Sequence, residues 1–339
     1  MDILIKSFNR PYYLDRCLFS IEKHVKNFSG KIVVLDDGTP EIFLNKILSN
    51  YPNVEIKKSE FYTEKQQCTL QGIRPKNYVI PIDLWVKAAE EASDNFLLIE
   101  DDTWFIDDID FKETDEEMKA NQVALTKLYW IGNEKINASK ESVVKKNIVL
   151  IKPKLYTIVP ALYYFIFYKF NRFKIRQILQ RLKINTIEKK LAYYSIYAVA
   201  GVLFNRAYYT QLWKNHESKI DEGLQIYNAV KVLNKQKDSI AFAHYKHEIL
   251  KTGFMSAATN QNKEAFKGNV DMFVFNKLLN EAWLSNRFDV LHSLPKDIAQ
   301  HDIIAVIESD PQKRISAEHW LSWVNDFKNQ YLSIGCIID

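Results

Sequence analysis

The chain has 339 residues, 47% of them hydrophobic and 26% charged, enough for one large α/β domain or two modest ones with substantial cores. Nine glycines, nine prolines and no repeat or low-complexity stretch exclude a fibrous protein and a long flexible linker. The net charge of +4 hides an asymmetry: between Lys145 and Lys190 stand twelve Lys or Arg and one acid, Glu188, so that segment carries +11 and the remainder −7.

The three cysteines, Cys17, Cys68 and Cys336, form no CxxC or Cys/His metal pattern and suit free thiols in a reducing compartment, so a cytoplasmic protein is expected. The opening MDILIKSFNRPYYL becomes an apolar strand at once, without the layout of a secretory signal. The longest apolar run, Tyr156 to Tyr168, has thirteen residues and contains Pro160. It falls short of the roughly 20 residues needed to span a bilayer, so no transmembrane helix is expected.

In chain order, residues 2–7 (DILIKS) and 31–35 (KIVVL) read as short buried strands. The segment between them has helical spacing at Leu14, Cys17, Leu18, Ile21 and Val25, which makes a β-α-β unit opening a parallel sheet. A helix is predicted over 41–49, a strand over 53–58, a helix over 82–93 and the strand FLLIE at 96–100. QVALTKLYW from Gln122 and AVAGVLFN from Ala198 are further strand candidates, and the Trp- and Phe-rich stretches beyond 251 read as packed helices.

Three polar signatures stand at predicted strand ends: Ser7-Phe8-Asn9-Arg10, Asp36-Asp37-Gly38-Thr39 and Glu100-Asp101-Asp102. Ligands of open α/β sheets bind beyond the carboxyl ends of the strands, so a shared site is the economical explanation. Carboxylates are costly to bury unpaired, so a positive group is expected beside the acidic triplet.

Taken together, SFNRPYYLDRCLFSI, VVLDDGT and LLIEDDTWF resemble, in order and spacing, the nucleotide-sugar-binding half of glycosyltransferases with the GT-A fold, especially the inverting family 2 group. The resemblance covers residues 1–110 well and 195–235 loosely. It implies an α/β, Rossmann-like, open and mostly parallel sheet flanked by helices, with a helical C-terminal region. It further implies a nucleotide-sugar half at 1–130, an acceptor half at 131–250 that includes the basic aromatic insertion 145–190, and a helical region at 251–339.

The implied activity is metal-dependent transfer of a sugar from a nucleotide-diphosphate donor, a UDP-sugar favoured, to a hydroxyl of a glycan or lipid-linked acceptor in cell-surface polysaccharide synthesis. Hard oxygen ligands suit Mn²⁺ or Mg²⁺, which would steady the departing diphosphate. The resemblance makes Asp102 the metal ligand, with Asp101 second and Glu100 placed for the ribose or a metal-bound water. The alternative is that these acids cap the following turn.

By the same resemblance Asp36 or Asp37 meets the nucleoside, against the alternative of a plain Asp-Gly turn, and Ser7, Phe8 and Asn9 pack against the base. Arg10 could equally pair with Asp36. The family's Ala-Arg-Asn-x-Gly stretch is missing: IPIDLWVKAAEEA has Asp83 and no arginine, and Arg74 or Lys76 could supply the lost cation.

The general base implied for the acceptor hydroxyl is Asp221 or Glu222, in KIDEGLQIYNAV after the segment AVAGVLFN; Asp221 could instead be a helix N-cap. His244 and His247, three apart, could share a helical face and complete the site, or be ordinary polar residues.

The insertion 145–190 interleaves Tyr156, Tyr163, Tyr164, Phe165, Phe167, Tyr168, Phe170 and Phe173 with Lys169, Arg172, Lys174, Arg176, Arg181 and Lys183. That combination suits a helix in the headgroup region of an anionic membrane, so work at the inner face of the cytoplasmic membrane is a further expectation. A buried helix, a dimer interface or a solvated face are the competing readings. No nucleic-acid motif accompanies these residues, so nucleic acid is not an expected partner. Two other functional classes stay open: a sugar nucleotidyltransferase, which would need a Gly-rich basic loop after the first strand, and a non-catalytic relative serving in assembly or membrane docking.

Overall fold

A computed structural model describes residues 1–339 except 77, 170–173, 218, 219, 238, 260–269 and 339, and except the side chain of 176. Phe170, Arg172, Phe173 and the Arg176 side chain, part of the predicted basic insertion, lie outside the described residues. The first 100 residues alternate strand and helix: β1 (Asp2–Ser7), α1 (Pro11–His24), the short β2 (Val25–Lys26), β3 (Ile32–Asp36), α2 (Glu41–Asn50), β4 (Val54–Lys58), α3 (Tyr62–Gln71), α4 (Ile82–Glu91) and β5 (Asn95–Glu100). Next come β6 (Thr103–Phe105), β7 (Ile109–Asp110), α5 (Phe111–Ala120), β8 (Val123–Lys127), β9 (Ser139–Val144) and β10 (Ile148–Pro153).

The basic segment contains α6 (Pro160–Phe167), α7 (Ile175–Arg181) and α8 (Ile187–Leu191). It leads into β11 (Val202–Asn205), α9 (Arg206–Leu212), α10 (Glu222–Gln236), β12 (Ala241–Tyr245) and β13 (Leu250–Thr252). Helices α11 (Met272–Leu284), α12 (Gln300–Glu308) and α13 (Ala317–Ser333) follow.

Nine strands form one open sheet in the order β4-β3-β1-β5-β11-β8-β12-β10-β9, and only β11 and β10 run against the other seven. The strand alternation divides the core. Ile3, Ile5, Val34, Leu97 and Ile99 join the helices α1, α2, α11 and α13 on one face, while Leu4, Val33, Leu35, Phe96 and Leu98 join α4, α6, α9 and α10 on the other. Both faces of β1 and β5 are therefore covered, which is why these strands read as continuous apolar runs.

The chain leaves β1 toward β3 on one side, and β5 pairs on the other. The carboxyl ends of β1 and β5 thus flank a crevice at a switch in connection direction, the usual ligand position in such sheets. The last helix reaches back over this crevice. Trp320, fully buried, stacks on Phe275 with ring centroids 6.0 Å apart, and its Nε1 donates to the Met255 carbonyl at 3.0 Å. Burying a ring of this size contributes on the order of 2–3 kcal/mol, so α13 is anchored rather than appended.

The basic segment splits between its competing readings. Tyr163, Ile166 and Phe167 of α6 are buried in the core shared with α10, whereas Tyr156, Val159, Leu162, Tyr164 and Phe165 are exposed, as are Ile178, Leu182 and Ile187 after them. Among the described residues no helix is long and apolar enough to cross a membrane.

Candidate active site

The three polar signatures are stitched together by hydrogen bonds across the strand ends. The Asp37 N–H donates to the Ser7 carbonyl at 3.0 Å, and the Asp101 N–H to the Lys6 carbonyl at 2.9 Å. Asp101 lies buried under the loop after β1; it accepts the Phe8 N–H at 3.1 Å and a guanidinium N–H of Arg10. Arg10 reaches Asp102 as well, at 2.7 Å.

The positive group that the acidic triplet requires is thus Arg10. Its expected alternative pairing with Asp36 is not made. Burial weighs against the Arg10 charge, but Asp101 and Asp102 together outweigh it and hold the guanidinium protonated. Neither carboxylate caps the following turn. Instead the Thr103 hydroxyl accepts from the Glu100 N–H at 3.0 Å, and the Asp102 carbonyl accepts from the Gly253 N–H at 2.7 Å.

The two acids of the Asp-Asp-Gly turn separate in role. Asp36 is fully buried and does not line the cleft. Its Oδ1 accepts the N–H groups of Gly38 (2.9 Å) and Thr39 (2.7 Å), so it shapes the turn and the expectation that it meets a nucleoside is corrected. Asp37 faces the cleft, held by Lys65 Nζ at 2.7 and 2.6 Å, with the Tyr78 hydroxyl 3.4 Å away. Gly38 has φ +134°, and a Cβ there would sit 2.5 Å from Lys65 Cβ, so this turn tolerates no side chain.

Asn9 is corrected too. It is fully buried and faces the protein body, where Asn280 Nδ2 donates to its carbonyl (3.2 Å) and side-chain oxygen (3.1 Å). Ser7, Phe8 and Arg10 line the cleft, and the Phe8 ring meets Tyr78 edge-on at 5.4 Å.

The cleft has a volume of about 810 Å³, within the range of small-molecule sites. It brings together the loops after β1, β3 and β5 and, from more than a hundred residues further along the chain, Asp221 and Glu222. Asp221 takes its capping alternative: Oδ1 accepts the Leu224 N–H at 3.0 Å at the start of α10, and Oδ2 accepts the Tyr168 hydroxyl at 2.9 Å. Glu222 accepts the Tyr194 hydroxyl at 2.5 Å on Oε2, and it acts electrostatically on Lys6 together with Glu100.

Lys6 is a residue that sequence reasoning overlooked. Its Nζ donates to the Val199 carbonyl at 3.0 Å, lies 4.4 Å over the Trp85 ring and stands 4.0 Å from Glu100. Burial lowers its pKa against the pull of Glu100 and Glu222. The available signal was a lysine inside the otherwise apolar strand DILIKS. Lys65, Tyr78 and Trp85 had no comparable signal. Arg74 and Lys76 are exposed and do not line the cleft, so the cations facing these acids are Lys6, Arg10 and Lys65. Asp83, also exposed, pairs with His216 at 2.8 Å.

His244 and His247 share no helical face. His244 lies on β12 with Nδ1 2.6 Å from the Tyr245 carbonyl, and the exposed His247 meets Asp107 at 3.0 Å. Neither lines the cleft.

Among the described residues no group of three or more His, Cys, Asp or Glu is placed to hold a metal. Asp102, however, has its Oδ1 buried with no hydrogen-bond partner while Oδ2 is held by Arg10, and the half-exposed Glu100 stands beside it in the cleft. An oriented, unsatisfied carboxylate oxygen fits a hard cation that takes its remaining ligands from diphosphate and water. Arg10 Nε and Trp85 Nε1, also on cleft residues, are buried without partners as well.

No protein-family profile and no curated protein matches this chain in sequence. Among solved structures, Staphylococcus aureus TarS residues 1–349 in complex with UDP-GlcNAc aligns at 11% identity over 98% of this chain and 72% of that one, with a TM-score of 0.39. The galactosyltransferase LgtC, in complex with donor and acceptor sugar analogues, aligns at 17% identity over 57% and 70%, with a TM-score of 0.29. Mouse xyloside xylosyltransferase 1 aligns at 10% identity over 71% and 84%, with a TM-score of 0.32.

Proposed function

We propose that this protein is a metal-dependent, inverting glycosyltransferase that moves a sugar from a nucleotide-diphosphate donor, a UDP-sugar, to a hydroxyl of a glycan or glycolipid in cell-surface polysaccharide synthesis. One observation carries the reading. An acidic group with an open carboxylate oxygen and a glutamate from a distant part of the chain face one cleft at the carboxyl ends of β1 and β5. Leaving-group stabilisation and proton removal, the two tasks of sugar transfer, need such a pair of sites.

Phe8, Tyr78 and Asp37 bind the nucleoside, with the carboxylate accepting a ring N–H or ribose hydroxyl. Asp102, supported by Asp101 and Arg10, would hold Mn²⁺ or Mg²⁺. The cation, when bound, neutralises charge that develops on the diphosphate. Lys6 and Arg10 add fixed positive charge to the same end of the cleft.

Glu222, oriented by the Tyr194 hydroxyl on one oxygen, takes the proton from the acceptor hydroxyl with the other. The acceptor oxygen then forms its bond to the anomeric carbon as the bond to the diphosphate breaks, and the electron pair leaves with the phosphate oxygen. Attack opposite the leaving group inverts the anomeric centre.

The exposed rings of 156–165 and the neighbouring lysines Lys154, Lys169 and Lys174 support peripheral binding to the inner face of an anionic membrane. Sedimentation with anionic and with neutral vesicles checks this part, which fails if binding is equal on both.

Thermal unfolding of the wild type and of Asp102→Ala against UDP, dTDP, GDP and CMP, each with and without Mn²⁺, tests the whole. A nucleotide at 100 times its dissociation constant adds about 2.7 kcal/mol of stability. The expected result is stabilisation by UDP that needs Mn²⁺ and disappears in the variant. No shift with any nucleotide would overturn the reading, while nucleotide binding without turnover in the presence of acceptor would favour the non-catalytic alternative.

A further inference from the structure

Lys6 has more hydrogen-bond donors than partners. It is 5% exposed and lines the cleft, and its ammonium carries three N–H groups, of which one meets an acceptor, the Val199 carbonyl at 3.0 Å. Glu100, at 4.0 Å, lies beyond hydrogen-bond distance, and the Trp85 ring, 4.4 Å away, offers a π face rather than a lone pair. Donors buried at a cleft wall without an acceptor are costly unless a ligand oxygen meets them. The Trp85 Nε1–H is likewise buried without a partner.

Lys6 is placed from three sides. On β1 it pairs in register with Glu100 of β5, two residues before Asp102. Its acceptor Val199 closely follows Tyr194 and Tyr197, which bond Glu222 (2.5 Å) and Gln225 in the first turn of α10. Ile220, two residues before Glu222, lines the cleft and also a small side pocket together with Lys6, Trp85, Val199 and Gln225. Lys6 and Trp85 therefore stand between the turn that bears Asp102 and the turn that bears Glu222. From the nucleoside end, Tyr78 leads in chain order to Ile80, Pro81 and Trp85, which line the cleft as well.

We infer that Lys6 is the residue that selects the donor sugar: its ammonium donates to one ring hydroxyl, the adjacent hydroxyl donates to Glu100, and the sugar is a neutral one. The inference rests on the glycosyltransferase reading, in which the anomeric carbon lies between a diphosphate at Asp102 and a base at Glu222. A sugar attached there has its ring against the residues that separate the two, Lys6 and Trp85. A donor and an acceptor 4.0 Å apart match two adjacent hydroxyls, each of which can give one hydrogen bond and accept another. A carboxylate on the sugar finds no free cation. Among the described residues six acids line the cleft against two cations, and Arg10 is already bonded to Asp101 and Asp102 while Lys6 stands beside Glu100.

The test is isothermal titration calorimetry of the full chain with Mn²⁺ present, using UDP, UDP-glucose, UDP-galactose, UDP-N-acetylglucosamine and UDP-glucuronate. In the wild type at least one neutral sugar nucleotide should bind at least tenfold more tightly than UDP-glucuronate. Lys6→Met keeps an apolar stem in the strand and removes the donors, and the half-exposed Glu100 stays solvated. It should weaken that neutral ligand at least tenfold and UDP less than twofold.

Equal weakening of UDP and the sugar nucleotides would assign Lys6 to the diphosphate, and unchanged affinities would make it a structural lysine; either overturns the inference while the nucleotide site stands. UDP-glucuronate binding as tightly as each neutral sugar nucleotide would overturn it in the wild type itself, so the outcome does not depend on Lys6→Met folding. No binding of UDP or of any of its sugar derivatives would remove the glycosyltransferase reading and this inference with it.

Discussion

Replacing Arg10 by methionine tests whether the acidic group is held together by charge. The guanidinium is 5% exposed and bonds both Asp101, 1% exposed, and Asp102. Methionine fills most of the volume of the arginine stem but leaves these carboxylates without their counter-ion. Breaking a buried pair in this way costs about 3–5 kcal/mol, because the remaining charge is neither solvated nor matched.

At an unfolding entropy of about 2 cal/mol/K per residue, the loss lowers the melting temperature of a chain this long by about 4–7 °C. Calorimetry at about pH 8, above the value of about 7 to which burial pushes the Asp101 carboxyl against the pull of Arg10, measures it. Addition of Mn²⁺ to Arg10→Met should recover part of the loss, since a cation on Asp102 returns positive charge to the same place. A decrease below about 1 °C would refute the reasoning, because it would mean that water already screens the pair as at a surface. A full loss untouched by Mn²⁺ would leave the ion pair standing and remove Asp102 as a metal ligand.

Other expectations concern the base and the nucleoside turn. Glu222→Gln should lower transfer by about 10²–10⁴-fold with UDP binding intact, whereas Asp221→Asn, which keeps an N-cap oxygen, should cost far less; kcat with saturating donor separates the two. Burial pushes the Asp36 carboxyl up to about 6, against hydrogen bonds from Thr39 and Gly38. A carboxyl raised in the folded state stabilises most below its unfolded pKa and loses that contribution as pH rises through about 6. Urea unfolding of Asp36→Asn, whose amide oxygen still accepts the two turn N–H groups, should therefore lack about 3 kcal/mol of the wild type's loss of stability between about pH 4 and pH 7; an unchanged profile would count against it. Gly38→Ala should destabilise by about 2–4 kcal/mol through φ strain and the clash with Lys65, and should weaken nucleotide binding through Asp37, both read from melting curves.

Much of this molecule is legible from local pattern. Strands covered on both faces must be apolar along their length, so DILIKS, KIVVL and FLLIE announce a buried parallel core, and polar triplets at their carboxyl ends mark where the backbone leaves it. The predicted bounds of β1, α2 and β4 differ from the observed ones by a residue or less at each end. Ser7, Phe8, Arg10, Asp37, Glu100, Asp101, Asp102, Asp221 and Glu222, candidates from the sequence and its family resemblance, line one cleft.

What pattern could not decide were choices among partners far apart in the chain. Arg10 had Asp36 within reach on the neighbouring strand end, yet it pairs with acids 91 and 92 residues away, because parallel pairing of β1 with β5 places those loops side by side. Whether Asp36 or Asp37 faces the cleft turns on the left-handed bend at Gly38 and on Lys65 from α3. His244 and His247 have helical spacing but fall at a strand end, since β8 and β10 offer hydrogen-bonding edges that a short helix could not use. The aromatic face of α13 looked like ordinary core for the same reason: Trp323, Phe327 and Tyr331, four residues apart, read identically whether they face apolar side chains or line a cleft, and only docking of the helix over β1 and β5 makes the difference.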